Sequence, residues 1–345
     1  MINIISSGLF SSFQDLGRFG KKSLGVSQSG SLDKYSFMIS NILCGNKINE
    51  GAIEIIGGGF LCEFLNSVSI SVSGPIGYYL INNKCVPINS SIKVNKNDVL
   101  TIPSNENGNV FYFSIAGGFD IEEIIGSYSY HQPSNITDKL KISSGQNYLM
   151  KKPNSEFQKM ISPSFYQKYL KPVNDISIIF DQKIEEKNKK IVNKLLSNEF
   201  TISDQLSRQG IKLNCKEKLV HSIGNEISSG VSLGTVQLPP NGEPIILLND
   251  SQTTGGYTKL GKIPDFEISR IVQSKTLRKI KFKKTDIYKS NEVMKTMDSE
   301  FHSIKFSDYF LFIHKIKDSF ISVQISENDS IIAISSEQLI NINKE

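Results

Sequence analysis

The chain has no tryptophan, and its 345 residues include only 4 cysteines and 4 histidines. Cys44, Cys62, Cys85 and Cys215 show no C-x-x-C spacing, which removes zinc ribbons and thioredoxin-type redox chemistry and leaves reduced thiols as the expectation. His131, His221, His302 and His314 are isolated, none within H-E-x-x-H or another paired ligand spacing, so no metal site is expected. There is no apolar run of about 18 residues and no charged-then-apolar leader, so a cytoplasmic protein without a membrane span is expected. The sequons at Asn89 and Asn135 carry no meaning without export. The net charge of +5 comes from 39 basic and 34 acidic residues, scattered along the chain. The densest basic runs, 187–190 and 281–284, read as solvated faces, and no nucleic-acid footprint follows. The phosphate-binding G-x-x-x-x-G-K-[ST] and the dinucleotide-binding G-x-G-x-x-G are both missing. Any chemistry therefore rests on carboxylates, hydroxyls, backbone amides and Lys or Arg.

What is present points to β structure. Residues 52–56, 68–73, 91–94, 99–102 and 110–116 read as short strands separated by Gly, Asn and Pro turns, a spacing typical of sandwiches and barrels. One helix interrupts them. Leu32, Tyr35, Met38, Ile39, Ile42 and Leu43 recur at helical spacing, with Ser31 as the expected N-cap, Asp33 in the first turn and Gly45 just past the end. Residues 154–170 and 185–200 read as partly helical, with a strand between them at 176–180 that opens a second domain. Later, 265–273 reads as a helix following Pro264, 279–282 as a strand, 291–301 as a helix, and 309–335 as three strands turning at Asp318 and 327–329.

Two weak echoes suggest duplication. Asp15-Leu16-Gly17-Arg18-Phe19-Gly20 is echoed by Asp204 followed by Arg208-Gln209-Gly210, and 25–30 is echoed by 230–234. Two tandem β-rich domains, 1–150 and 171–290, with a helix-and-strand extension over 291–345, are the expected organisation.

The best candidate for a site is 239–257. A Pro/Gly turn feeds the apolar run Ile245–Leu248, short enough to be a buried strand. The run ends in Asn249-Asp250-Ser251-Gln252-Thr253-Thr254, where every side chain can donate or accept a hydrogen bond, and then in Gly255-Gly256-Tyr257. Adjacent glycines can take positive φ and turn their amides toward an anion. A tight turn with locally satisfied hydroxyls is the other reading of the same residues.

Several segments in consistent order resemble one family. They are Gln14-Asp15-Leu16-Gly17-Arg18-Phe19-Gly20, Ser29-Gly30-Ser31-Leu32-Asp33, Ala52-Ile53-Glu54-Ile55, Ala116-Gly117-Gly118-Phe119-Asp120 and the 237–257 motif. Together they resemble the biotin-dependent carboxyltransferase / allophanate hydrolase family of second subunits, in particular the branch formed by the third component of bacterial 5-oxoprolinase, which antagonises a kinase inhibitor. The resemblance implies a mostly β fold of two cyclophilin-like barrels with a few short helices. It implies a hetero-oligomer with a B subunit in direct contact and an A subunit, hydrolysing 5-oxoproline to glutamate with ATP and magnesium through a phosphorylated lactam.

Under that resemblance Asp250, Lys259 and Arg18 are the expected catalytic residues. Asp15, Asp33, Gln252, Thr253, Thr254, Gly255, Gly256 and Tyr257 are expected to bind substrate or ATP. Two other functions accompany the family: carboxyl transfer of the urea carboxylase type, with biotin carried on another protein, and non-catalytic binding of a kinase-inhibitor-like partner. The chain departs from the family pattern at Tyr128, where relatives carry Arg, and in its tail of some fifty residues after Asn291.

Overall fold

A computed structural model of the chain describes residues 1–104, 109–152, 159–161, 165–203, 207–219, 227–304, 306–316, 319–326, 331–334 and 339–342. The fold is mostly β, with a few helices. Its N-terminal half builds two antiparallel sheets. The first contains β1 (Ile2–Ser7), β4 (Phe60–Phe64), β6 (Tyr78–Ile81), β7 (Lys84–Pro87), β9 (Val99–Ile102) and β11 (Asn147–Tyr148), in the order β11-β1-β4-β9-β6-β7. The second begins β2-β3-β10-β5-β8, from β2 (Phe10–Gln14), β3 (Ala52–Ile56), β5 (Val68–Ser73), β8 (Ser90–Val94) and β10 (Val110–Ile115).

Strands β3, β5 and β10 are buried along their whole length, so both faces must be covered. Period-two alternation divides the work between the faces. Ile53, Ile55, Ile70, Val72, Phe111, Phe113 and Ile115 point into the core shared with the first sheet. The opposite face carries Ser71, Ser114, Tyr112 and Glu54, and its serines are small enough to let a helix approach closely. That helix is α1 (Lys34–Leu43), and Ser71 Oγ donates to Ser40 O at 2.6 Å while Ser40 and Ser114 hydroxyls meet at 2.7 Å.

The first residue of α1 differs from expectation. Asp33, not Ser31, is the N-cap, its carboxylate accepting from Ser36 N at 3.2 Å. Ser31 is held elsewhere, its amide donating to Asp15 O. The C-terminal end is as expected: Gly45, at φ 66°, donates to Ile42 O while Asn46 N reaches Asn41 O, the double bond of a Schellman cap.

The second half is a closed barrel of seven strands in the order β13-β20-β17-β18-β15-β14-β21. These are β13 (Asp175–Phe180), β14 (Phe200–Ile202), β15 (Gly210–Cys215), β17 (Thr235–Leu238), β18 (Ile245–Leu247), β20 (Thr258–Lys262) and β21 (Lys279–Lys284). Helices α2 (Gln182–Lys187) and α3 (Lys189–Ser197) pack outside it, and α4 (Asp265–Val272) follows Pro264. One apolar cluster runs from barrel residues such as Ile178, Val236 and Ile246 into Leu32, Phe37, Ala52 and Tyr112. The two halves therefore share a core across their seam.

The tail returns to the first half. After α5 (Ile287–His302), strands β22 (Phe306–Ile316), β23 (Ser319–Ser326), β24 (Ile331–Ile334) and β25 (Leu339–Ile342) extend the second sheet through β12 (Lys159–Ile161). Strands β22, β23 and β24 are the three that alternation predicts over 309–335, and β25 lies beyond that range. The expected turns at Asp318 and 327–329 lie outside the described residues, as do 154–158 and 162–164 of the expected helix; of the rest, Lys159–Ile161 is the strand β12 and Tyr166–Leu170 is helical.

One glycine fixes the barrel's closure. At Gly261 an added Cβ would stand 2.3 Å from Ile179 O on the paired strand β13. Backbone cannot yield as a side chain tip can. Gly261→Ala is expected to lower stability by about 1–3 kcal/mol; a urea midpoint unchanged from wild type would show that the strands part without cost.

Candidate functional site

The polar centre of the molecule lies in the seam between the N-terminal sheets and the barrel, organised around Arg208. This side chain enters from the start of β15 and is 1% exposed. Its Nε donates to Asp250 Oδ2 at 2.9 Å and its Nη2 to Asp250 Oδ1 at 3.2 Å, both within the barrel half. The other contacts cross the seam: Nη1 to Glu54 Oε1, and Nη2 to Gln14 Oε1 at 3.2 Å and Gly30 O at 2.6 Å. Burial by itself lowers the guanidinium pKa, but the Asp250 and Glu54 carboxylates more than offset it, and the net direction is upward.

Glu54 is satisfied in turn. Its Oε2 accepts from Leu32 N at 2.8 Å and from the Tyr112 hydroxyl at 2.6 Å, and that hydroxyl accepts from Asp33 N at 2.8 Å. Burial, then the Glu54 and Asp33 charges, push the Tyr112 phenol well up, so it stays a donor. Gln273, capping α4, closes the ring: Nε2 donates to Asp33 Oδ2 at 2.9 Å, and Oε1 accepts from Asn109 N and Val110 N. Burial raises the Asp33 pKa against the opposing hydrogen bonds from Gln273 and Ser36.

Beside this network, Asp15 accepts from Gly17 N, Tyr128 N and the Ser127 and Ser129 hydroxyls. Arg18 anchors to the same segment through Nε to Ile124 O, at 3.1 Å, and Nη2 to Ser129 O. Its Nη1 is buried and has no partner. Burial lowers the Arg18 pKa, partly countered by Asp15 and Asp250. The turn beneath it is strained: Ile125 takes φ 54°, a left-handed conformation that β-branched residues avoid. His131 lies at the next corner, Nδ1 3.0 Å from Ser134 Oγ, with a buried Nε2 that also lacks a partner. The following amide, Gln132 N, donates to Asp250 Oδ2 at 3.3 Å.

The 249–257 loop and the 15–33 segment do meet. Ser29 N donates to Asn249 O, Asn249 Nδ2 donates to Ser29 O and Ser31 O, and Ser27 Oγ donates to Ser251 O at 2.6 Å. The expected site residues nevertheless divide into two groups. Asp15, Arg18, Asp33 and Asp250 are in the buried seam, whereas Gln252, Thr254 and Tyr257 are exposed and Thr253, Gly255, Gly256 and Lys259 are half-buried on its rim.

Gly255 and Gly256 differ from expectation in conformation. Neither takes positive φ, so they form neither a left-handed turn nor a phosphate-cradling nest. Thr254 and Gly255 instead make β19 (Thr254–Gly255), paired with β16 (Ser229–Gly230), and Lys259 Nζ reaches Ser229 Oγ. A Cβ at Gly255 would meet Gln237 Nε2, the tip of a flexible side chain that can yield.

Sequence reasoning passed over Arg208, Glu54, Tyr112, Gln273 and His131 as site residues. Glu54 did leave a signal, a lone carboxylate inside the apolar run Ala52-Ile53-Glu54-Ile55-Ile56. Asp204, the expected partner of Arg208 in the duplicated motif, lies outside the described residues. Among the described residues no group of three or more His, Cys, Asp or Glu side chains could hold a metal.

Comparison with known proteins places this geometry in a family context. Residues 24–284 match the model for the carboxyltransferase domain, subdomain A and B. The chain is 27% identical over 286 residues to the 5-oxoprolinase C-type subunit of Haemophilus influenzae and 28% identical over 279 residues to that of Escherichia coli, spanning 90% and 87% of those proteins. These alignments cover 82% and 79% of this chain. The urea carboxylase structure of Kluyveromyces lactis superposes with a TM-score of 0.77 at 21% identity, covering 96% of this chain and 33% of that one. Among the solved chains it resembles, this chain spans between 22% and 56% of their length.

The Arg208 network predicts a large and pH-dependent penalty. Arg208→Met leaves Glu54 and Asp250 buried without their cation and is expected to cost about 3–5 kcal/mol. Acid neutralises two buried carboxylates that have lost their counter-charge, so the variant's deficit against wild type narrows as pH falls and widens as pH rises. Guanidinium titrations at acidic and neutral pH measure the difference; a pH-independent gap would separate Arg208 from the two acids. Ile125→Asn, which suits φ 54°, is expected to raise the melting temperature by relieving about 1 kcal/mol of strain.

Proposed function

The chain belongs to the carboxyltransferase-domain family of subdomains A and B, and from that premise we infer that it is a subunit of a multi-subunit, cytoplasmic hydrolase that opens 5-oxoproline to glutamate. Length favours this reading. The chain spans about nine-tenths of the two 5-oxoprolinase relatives but only 18% of the urea amidolyase of Lachancea kluyveri. The single observation carrying it is the partnerless Nη1 of Arg18. A buried guanidinium N–H left unpaired costs more than a made bond returns, so the position is suited to an anionic ligand. A small cyclic amide bearing a carboxylate supplies one.

In this reading Arg18 grips the substrate carboxylate and Asp15 fixes the segment to which Arg18 is anchored. Asp250 is a holding residue, because Arg208 and the Gln132 amide occupy its oxygens. Asp33 holds α1 against Gln273 and stays remote from the ligand. Lys259, Gln252, Thr253, Thr254 and Tyr257 form the rim that faces the B subunit, and the A subunit joins these two in the full assembly.

ATP does not fit the Gly255–Gly256 segment, which lacks positive φ. Nucleotide is accordingly assigned to a partner subunit, and no step here passes through it. Carboxyl transfer, with biotin on another protein, is the second reading, favoured by the 96% coverage of this chain in the urea carboxylase superposition.

Reconstitution with the A and B subunits is expected to give glutamate formation and 5-oxoproline-dependent ATP hydrolysis. Arg18→Met should raise the KM for 5-oxoproline about ten- to a hundredfold, the worth of a charged hydrogen bond. An assembled complex without turnover would overturn the hydrolase reading, and urea-dependent loss of carboxybiotin would favour the second one.

A further inference from the structure

Among the buried polar atoms of the seam without a partner, two belong to charged or titratable side chains of one site: Arg18 Nη1 and His131 Nε2. His131 is 9% exposed and firmly oriented. Its amide donates to Thr137 Oγ1 at 2.7 Å and its Nδ1 meets Ser134 Oγ at 3.0 Å, so Nε2 is the atom left over. Charged groups face the ring from both halves: Asp250 from the barrel loop, Arg208 from β15 and Arg18 from the 15–20 segment. The two arginines favour the neutral ring and Asp250 favours its protonated form. A neutral imidazole with a nearby carboxylate can take up a proton and release it again.

We propose that His131 is a catalytic residue whose Nε2 carries the proton gained by the substrate's amide nitrogen when its C–N bond breaks. The proposal rests on the 5-oxoproline reading given above. In 5-oxoproline one carbon separates the carboxylate from the lactam nitrogen, so an anchor at Arg18 brings that nitrogen toward its neighbour in the seam. As water adds to the ring carbonyl carbon, one water proton passes to Nε2 while the new C–O bond forms. As the C–N bond breaks, the nitrogen takes the electron pair and receives that proton from Nε2. Glutamate is the product and the imidazole returns to neutral, with Asp250 stabilising the intervening imidazolium. Activation of the carbonyl falls to the partner subunits. Both atoms are shut from solvent, so substrate entry requires the groups around them to open.

The chain's four histidines make the test direct. Full-length protein carrying ring-labelled histidine gives few imidazole signals, and His131→Gln identifies that of residue 131. Addition of 5-oxoproline should shift this signal, whereas 2-pyrrolidinone, which lacks the carboxylate, and urea should leave it unmoved. In the complex with A and B subunits, His131→Gln should lower kcat at least about a hundredfold, the usual worth of a general acid–base. It should also abolish the acidic limb of kcat/KM, which lies below the ordinary histidine pKa because burial lowers that of His131. A histidine signal indifferent to 5-oxoproline, or a His131→Gln complex with the wild-type rate and pH profile, overturns the proposal while leaving wild-type turnover as support for the broader reading. If the wild-type complex is inactive the broader reading fails, and this assignment fails with it.

Discussion

The Arg208 guanidinium is the interaction on which the seam depends. It makes two contacts with Asp250 in its own half and three with Glu54, Gln14 and Gly30 in the other. A charge removed from water to this degree is tolerable only if its donors are used and counter-charge lies in contact. Both conditions are met, and they can be met only when the two halves sit in one relative position. The network is weak evidence of stability, since an apolar substitute of equal shape could serve as well. Its consequence is alignment: Glu54 on β3, the Gly30 carbonyl and Asp250 after β18 must converge on one planar fork.

That alignment propagates outward through shared atoms. Glu54, fixed by Arg208, accepts from Leu32 N and Tyr112, and Tyr112 accepts from Asp33 N. Asp33 then caps α1 and accepts from Gln273 at the end of α4. A chain of hydrogen bonds thus runs from the barrel, through the N-terminal sheet and helix, and back to the barrel. The serine face of β5 and β10 seats α1 close enough for this to work, because larger side chains at Ser71 or Ser114 would lift the helix away.

Much of the fold was legible in the sequence because its signals are local. The strands at 52–56, 68–73 and 99–102, the Schellman cap at Gly45 and the helix after Pro264 follow from periodicity and punctuation over ten or so residues. The site was half legible. Asp15, Arg18 and Asp250 stood out through a repeated motif and a polar loop after a buried strand. Arg208 did not, because what makes it central is its partners at positions 14, 30 and 54, which no spacing rule connects. Gly255-Gly256 misled for a related reason. Paired glycines signal positive φ in a backbone turn, but here Thr254 and Gly255 pair with Ser229 and Gly230 as a short ladder, a contact that no local spacing announces.

The satisfied and unsatisfied donors of the seam also divide its labour. Arg208 is bound by the protein at each of its three nitrogens, and such a cation has little left to offer a ligand. Arg18 lies close enough to feel Asp15, Asp250 and Arg208, yet the fold leaves one of its nitrogens unused. Unpaired buried donors are rare in folded chains because they cost free energy with no return. The strained Ile125 turn lies directly under the same side chain. Two costs borne at one place, beside an Arg208 whose nitrogens are all used, mark the part of the seam shaped for something other than its own stability.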